Sequence, residues 1–381
     1  MIMSRRRLLG RLAATAATGA AFQALSNFSL AESAPAPHAN TLPTPILLSR
    51  NENAYGPSEK VLVAMREALS GSHRYPGTEH DFLLNKIAAL HRVRPEQIVL
   101  GCGSSEILRT AAAAFLGPGK KLVQASPTCP LLGGYARPGV EVVNVPLNKM
   151  YEHDLSAMLA RADASTGLVY ICNPNNPTGT LTARKDIEVF IAKLPASTMV
   201  LIDEAYHHFV SGTSTNASFL DRTLNDSRVM IVRTFSKIYG LAGMRIGYVV
   251  AAPDIARRLS GHGPQFGVGA VSAKAAAAAL DDSEYVFMAA KRNASDRQEF
   301  MNQVNARMLR ALDSHANFVM MKSPHPVDLV FEHLKKNNVL VAPPIPEMNK
   351  YIRVSLGTPA DMLQFWRVWD LMPGQKMNTN M

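Results

Sequence analysis

Three cysteines in 381 residues, Cys102, Cys129 and Cys172, are too few and too irregularly spaced for a disulfide framework or a thiolate metal site. Cys172 falls in an apolar strand pattern, and no disulfide is expected. The chain also lacks an apolar run fit to cross a bilayer. Its best stretch, near the N-terminus, is interrupted by Arg11 and diluted by Gly, Thr, Gln and Asn, so no stable membrane insertion is expected. Forty Lys and Arg exceed thirty Asp and Glu, yet no basic run is interleaved with aromatics, which excludes a nucleic-acid surface. His207 and His208 are adjacent, so they point apart on either regular element. Two histidines alone make a poor site, and no metal is expected. Repeats are absent, and biased composition is confined to the first 47 residues.

The N-terminus does carry a pattern. Ser4-Arg5-Arg6-Arg7-Leu8-Leu9 is followed by a weakly hydrophobic Ala/Thr/Gly region and by Ser29-Leu30-Ala31. This resembles a twin-arginine signal peptide over residues 1–31, cleaved near Ala31, rather than a membrane anchor or a basic amphipathic helix. It implies passage through the twin-arginine translocation machinery, which carries folded proteins, and residence in the periplasm. The leader's four arginines account for four of the ten excess positive charges.

The 350 residues beyond it exceed what one core usually holds, so two lobes are expected. Residues 32–70 read as a Pro/Ala-rich arm and a first helix, with Ser58 as N-cap before Val61, Met65 and Leu69. Residues 71–262 read as a large domain. Its short apolar strands at Ile98–Leu100, Lys121–Ala125, Glu141–Val145, Gly167–Ile171, Met199–Ile202, Val229–Val232 and Ile246–Val250 alternate with helices. Several are apolar throughout, as in a largely parallel α/β sheet covered on both faces. Residues 263–381 read as a smaller α+β domain. It opens with helices at Ala270–Leu280 and Ser283–Leu312 and continues with strands at Phe318–Met321, Val339–Val341 and Tyr351–Ser355.

The chain is organised around Ile231–Tyr248, IVRTFSKIYGLAGMRIGY. Lys237 follows a buried strand, where desolvation lowers a lysine's pKa toward that of a Schiff-base amine. Thr234, Ser236 and Arg245 around it make an anion site, so the lysine is expected to meet a phosphate-bearing carbonyl compound. Gly101-Cys102-Gly103-Ser104-Ser105 ends a strand and opens a helix, a geometry whose free N–H groups suit a phosphate. Asp203 ends an apolar strand, where α/β sheets bind ligands. Arg353 interrupts an alternating strand and can fork onto a carboxylate.

Together with Asn173-Pro174-Asn175-Asn176-Pro177-Thr178-Gly179, these motifs resemble, in order and from about Leu48 to Thr358, the fold-type I pyridoxal-phosphate aminotransferases. The histidinol-phosphate aminotransferase branch is the most similar. The resemblance implies the fold-type I architecture, a large domain with a mostly parallel seven-stranded sheet plus a small α+β domain, and pyridoxal 5′-phosphate as cofactor. It makes Lys237 the cofactor-bearing base and Asp203 the partner of the pyridine nitrogen. Asn176 and Tyr206 become donors to the phenolic oxygen, Ser104, Ser105, Thr234, Ser236 and Arg245 the phosphate cup, and Arg353 the grip on the substrate carboxylate. It places Tyr55 at the partner's cofactor phosphate in a homodimer. Small amino and keto acids are the implied substrates.

Two departures bear on substrate choice. Where the branch has a ring-stacking tyrosine after Pro127-Thr128, this chain reads Cys129-Pro130-Leu131-Leu132; the alignment puts Leu132 at the stacking position, with Tyr135 as a substitute. Where the branch has an arginine for the substrate phosphate, Val339-Leu340-Val341 runs into Ala342-Pro343-Pro344. Losing that contact removes about 1.5–3 kcal/mol. With export, this argues against histidinol phosphate and toward a secreted metabolite. The sequence is similar to exported transaminases that tailor pyoverdine-type siderophores. The alternatives are decarboxylation, racemisation or oxidation at Cα, a cytoplasmic histidinol-phosphate aminotransferase, and a non-catalytic amino-compound binder.

Overall fold

The computed structural model describes residues 44–210, 218–221 and 226–372. The signal-peptide expectation for residues 1–31 lies outside them, as does the arm up to residue 43.

A short strand β1 (Ile46–Leu48) precedes helices α1 (Glu59–Ala68) and α2 (Gly77–His91). Ser58 caps α1 by accepting from the Val61 N–H, as its position predicts. Next come β2 (Ile98–Cys102), α3 (Ser104–Phe115), β3 (Lys121–Ser126), α4 (Leu131–Gly134), β4 (Glu141–Pro146), α5 (Leu155–Arg161), β5 (Thr166–Cys172), α6 (Arg184–Lys193), β6 (Met199–Asp203), β7 (Val229–Thr234) and β8 (Ile246–Val250). Strands β2 to β8 form one seven-stranded sheet in the order β2-β8-β7-β6-β5-β3-β4. Every pair is parallel except those of β8, which runs antiparallel to β2 and β7. Six of the seven strands run a residue or two past their expected carboxyl ends, and Cys172, Asp203 and Thr234 are among the added residues. Each of those three borders the site described below.

Continuous apolar strands arise because both sheet faces are covered. On β5, Leu168, Tyr170 and Cys172 join a core with Ile107 and Leu108 of α3, while Val169 and Ile171 join the opposite core with Phe190 and Ile191 of α6. Each large side chain so buried contributes about 1.5–3 kcal/mol. After α7 (Pro253–Ser260), helix α8 (Ala270–Leu280) also belongs to the sheet's core. The sequence reading assigned α8 to the C-terminal domain. Its alanines instead allow close packing on α1 and α2, burying Ala273, Ala275, Ala276 and Ala277.

A second core gathers α9 (Ser283–Ala306), β9 (Arg310–Ala311), β10 (Phe318–Lys322), α10 (Val327–Lys336), β11 (Val339–Val341), β12 (Tyr351–Ser355) and α11 (Pro359–Asp370). Phe300, Phe365, Trp366 and Trp369 pack edge and face within it. Strand β1 pairs in parallel with β11, so the N-terminal segment is stitched to this second core. Helix α9 stops short of the expected Leu312. Met308 takes φ +55° and the chain then pairs with β10, a tertiary choice that no Gly or Pro announces.

One buried ion pair locks the end of β6 to β7. Arg233 Nε lies 2.9 Å from Glu204 Oε2, and both side chains are almost fully buried. Ser218 Oγ donates to the same carboxylate at 2.6 Å and the Phe219 N–H at 2.9 Å. Burial pushes the Glu204 carboxyl up, but Arg233 and these donors outweigh it and hold the group below its usual range. Glu204→Ala strands the Arg233 charge in the interior, and urea denaturation should show a loss of about 3–5 kcal/mol.

Candidate active site

A cleft of about 520 Å³ opens at the carboxyl ends of β5, β6 and β7. Ser104, Ser105, Asn176, Asp203, Tyr206, Thr234, Ser236, Lys237, Arg245 and Arg353 all border it. These are ten of the eleven residues singled out from the sequence.

Lys237 rides on a loop tied at both ends of its turn, with Phe235 N–H donating to Ile246 O at 3.0 Å and Leu241 N–H to Phe235 O at 3.1 Å. Gly240, at φ +69°, lies so near the Gly56 backbone that a Cβ would come within 2.3 Å of it. Lys237 Nζ donates to Asn51 O at 2.9 Å and Arg50 O at 3.1 Å, and sits 5.4 Å from the centre of the Tyr206 ring. Burial, followed by the charge of Arg353, lowers its pKa from 10.5 to about 8. A usable fraction of neutral amine is therefore present near neutral pH.

Asp203 is almost fully buried. Its Oδ2 accepts from the Tyr170 hydroxyl at 3.0 Å and its Oδ1 from the Ala205 N–H at 3.0 Å. Burial raises its pKa to about 6 against the pull of those donors and of Lys237. The carboxylate is still ionised at pH 7 and suits a cationic partner.

Across the cleft, α3 begins at Ser104. Arg245 Nη2 donates to Ser105 Oγ at 3.2 Å and Nη1 to Ser236 Oγ at 3.4 Å. A guanidinium, two hydroxyls and a helix N-terminus thus converge. Thr234 borders the cleft, but its hydroxyl donates to Ile246 O and accepts from the Ser236 N–H, so it shapes the turn. Gly103, at φ +73°, backs Arg245 so closely that a Cβ would lie 2.2 Å from Nη2. Gly103→Ala should push the guanidinium out of place. Fluorescence titration with pyridoxal phosphate should then show affinity about tenfold weaker, the worth of one charge-assisted bond.

On the facing wall, Arg353 Nη2 donates to Ser49 O at 3.0 Å and Nη1 to Asn176 Oδ1, while its buried Nε has no partner among the described residues. Tyr206 Oη accepts from Asn51 Nδ2 at 3.0 Å, which leaves the phenol proton for another acceptor.

Tyr55 is the exception. Its hydroxyl donates to Asp296 Oδ2 at 3.0 Å and Arg292 lies over its ring at 4.3 Å, away from this chain's own cleft. The stacking expectation is also corrected. Leu132 is fully buried in the core beneath α3, because α4 turns it inward, and Cys129 and Leu131 border the cleft instead.

Sequence reasoning passed over Asn51 and Tyr170. Asn51 adopts φ +54°, donates its N–H to Ser355 Oγ and offers its carbonyl to Lys237 and Asn317. Asparagine in the polar run Ser49-Arg50-Asn51-Glu52-Asn53 is the available signal, since asparagine tolerates the left-handed region. Tyr170 gave no signal beyond an apolar strand.

The donor set fits pyridoxal phosphate. The cleft offers an amine of lowered pKa, a buried carboxylate, a cationic hydroxyl-lined cup at a helix start, and an unsatisfied guanidinium nitrogen. Residues 43–367 match the family described as aminotransferase class I and II. The chain belongs to that family and is a pyridoxal-phosphate-dependent aminotransferase of fold type I, acting on amino and keto acids. Among its relatives, histidinol-phosphate aminotransferase 2 of Carboxydothermus hydrogenoformans is 37% identical over 327 residues, covering 84% of this chain and 88% of that protein. The histidinol-phosphate aminotransferase of Staphylococcus carnosus is 36% identical over 319 residues, covering 82% and 86%. The structure of histidinol-phosphate aminotransferase from Sinorhizobium meliloti in complex with pyridoxal-5′-phosphate superposes with a TM-score of 0.79 at 27% identity, covering 86% of this chain and 89% of that one.

Proposed function

We propose that this aminotransferase takes an amine whose neighbouring oxyanion is clasped by Arg353, and passes the amino group to a 2-keto acid. The unpartnered Nε of Arg353 carries this reading. It is buried beside Asn176 and on the same cleft as Lys237 and Asp203, and an oxyanion there would complete its hydrogen bonding.

The cofactor, when bound, supplies an electron-withdrawing ring that acidifies the carbon bearing the amine. Lys237 would hold the cofactor through Nζ, and the same amine, when free, would be the base that takes the substrate Cα proton and, as the ammonium, the acid that gives it up again. Asp203, as a carboxylate, would pair with the ring nitrogen. Tyr206 and Asn176 would orient the phenolic oxygen, and Ser104, Ser105, Ser236 and Arg245 would hold the phosphate. Arg353 would fix the substrate's oxyanion, and with it the amine-bearing carbon, in the cleft that Lys237 also borders.

The relatives' names favour histidinol phosphate as the amino donor. An α-amino acid is the second reading, favoured by the run Ala342-Pro343-Pro344, which provides no second cation near Arg353. Separate mixing of the loaded enzyme with histidinol phosphate and with a panel of α-amino acids, followed by absorbance, decides between them. Conversion by neither class sinks the proposal.

We also propose export by the twin-arginine route and action as a homodimer. The support is the Ser4–Leu9 motif for the first and the family resemblance, with Tyr55 outside its own cleft, for the second. Periplasmic residence would favour the α-amino acid, including one on a siderophore precursor. Retention of the full-length chain in the cytoplasmic fraction, unchanged by replacing Arg5 and Arg6 with lysine, would remove both export and that substrate. Sedimentation tests the dimer.

A further inference from the structure

Asn51 lies between β12 and the cofactor cleft, and each of its polar groups has a partner. Its carbonyl accepts from Lys237 Nζ at 2.9 Å and from Asn317 Nδ2 at 3.1 Å. Its backbone N–H donates to Ser355 Oγ on β12 at 2.8 Å. The serine has one proton of its own, and that proton goes to Asn51 Oδ1 at 3.1 Å. The amide is thereby oriented, with Oδ1 toward Ser355 and Nδ2 toward Tyr206 Oη at 3.0 Å. In the opposite orientation Ser355 Oγ would face two N–H groups and its proton would lose its acceptor. Asn51, Ser355 and Tyr206 are all buried, so water is poorly placed to make up that loss.

An amide N–H can only donate, so Tyr206 Oη accepts from it and its own proton points elsewhere. Burial pushes the phenol well above its usual range, which keeps that proton in place. The ring is held edge-on against Phe318, with 5.1 Å between centres. Asn51 and Tyr206 border the cleft, and Ser355 stands behind them. We propose that Ser355 is a positioning residue for the cofactor, turning the Tyr206 hydroxyl proton into the cleft through the Asn51 amide. This role rests on the reading that Tyr206 donates to the cofactor's phenolic oxygen, and adds what aims it. Strand β12 thus supplies Arg353 for the substrate and, two residues on, a hydroxyl that orders the cofactor's partner.

The test is a pH titration of visible absorbance on the full chain loaded with pyridoxal phosphate, which reads loss of the proton from the Lys237–cofactor link. A donor on the phenolic oxygen competes with that proton for the same oxygen, so removing the donor moves the midpoint to higher pH. Tyr206→Phe should raise it by about one unit, the worth of one hydrogen bond. Ser355→Ala should raise it by about half as much, because the freed amide can then flip and take the phenol proton. In the Tyr206→Phe background Ser355→Ala should move it no further. Asn51→Gly suits φ +54° and keeps the carbonyl that meets Lys237. It should shift the midpoint in the same direction, and it carries the test if Ser355→Ala does not fold. A midpoint left at the wild-type value in a folded, loaded variant of either kind overturns the proposal, as does a Ser355→Ala shift that persists without the Tyr206 hydroxyl. A midpoint unmoved by Tyr206→Phe instead removes the reading of Tyr206 itself, and the proposal falls with it.

Discussion

Lys237→Ala abolishes transamination, by about 10⁴-fold or more, and leaves the fold in place. The size follows from two losses at one atom. On the roles proposed for Lys237, the amine that holds the cofactor is removed, and so is the proton carrier at substrate Cα, which alone is worth about 10²–10⁴-fold. Structural damage should be slight, because Nζ donates to two carbonyls, Arg50 O and Asn51 O, that border an open cleft where water can replace it. Unchanged circular dichroism with loss of the visible absorbance of lysine-bound cofactor is the expected pair of results. In the wild-type chain freed of cofactor, loading should quicken as pH rises and level off above about 8, where burial has placed the lysine's pKa. Below that pH the ammonium dominates and has no lone pair to attack a carbonyl.

Asp203→Asn should lower kcat by about 10²–10³-fold, the scale for removing one preorganised electrostatic partner from a buried site. Asparagine keeps the shape and can still accept from Tyr170, but it offers no charge to a cationic ring nitrogen. The wild-type cofactor-free chain should bind pyridoxal phosphate more weakly as pH falls below about 6. Burial holds Asp203 at that value, and protonation removes the anion. The Asn variant should lack that acid limb. Tyr170→Phe removes a hydrogen bond that favours the ionised form, so its limb should move to higher pH. Titrations of cofactor affinity against pH for the three proteins compare these outcomes without relying on turnover.

These residues also mark what was legible beforehand. The seven sheet strands could be read because both faces of the sheet are covered, which leaves uninterrupted apolar runs, and Lys237, Asp203 and Arg353 stood out as charges at the ends of or within such runs. Tyr170 did not, because inside an apolar strand a tyrosine looks like one more core residue until its hydroxyl is seen 3.0 Å from Asp203. Helix α8 was placed in the wrong core for a related reason. An alanine-rich segment reveals its helical state but not its neighbour, since alanine packs against either core equally well. Leu132 failed through register, because one residue around the short α4 separates the cleft from the interior. Asn51 was hidden by its context, a polar turn whose backbone carbonyl, rather than its side chain, meets the lysine.

The pairing of β1 with β11 places Ser49 against Arg353, and Asn51 against Ser355, 304 residues apart in each case. The proposed substrate clasp therefore joins an early and a late portion of the described chain. On the ribosome, Lys237 and Asp203 are complete while Arg353 is still untranslated. Completing that grip therefore waits on translation of β12 and on its return to the segment around Ser49.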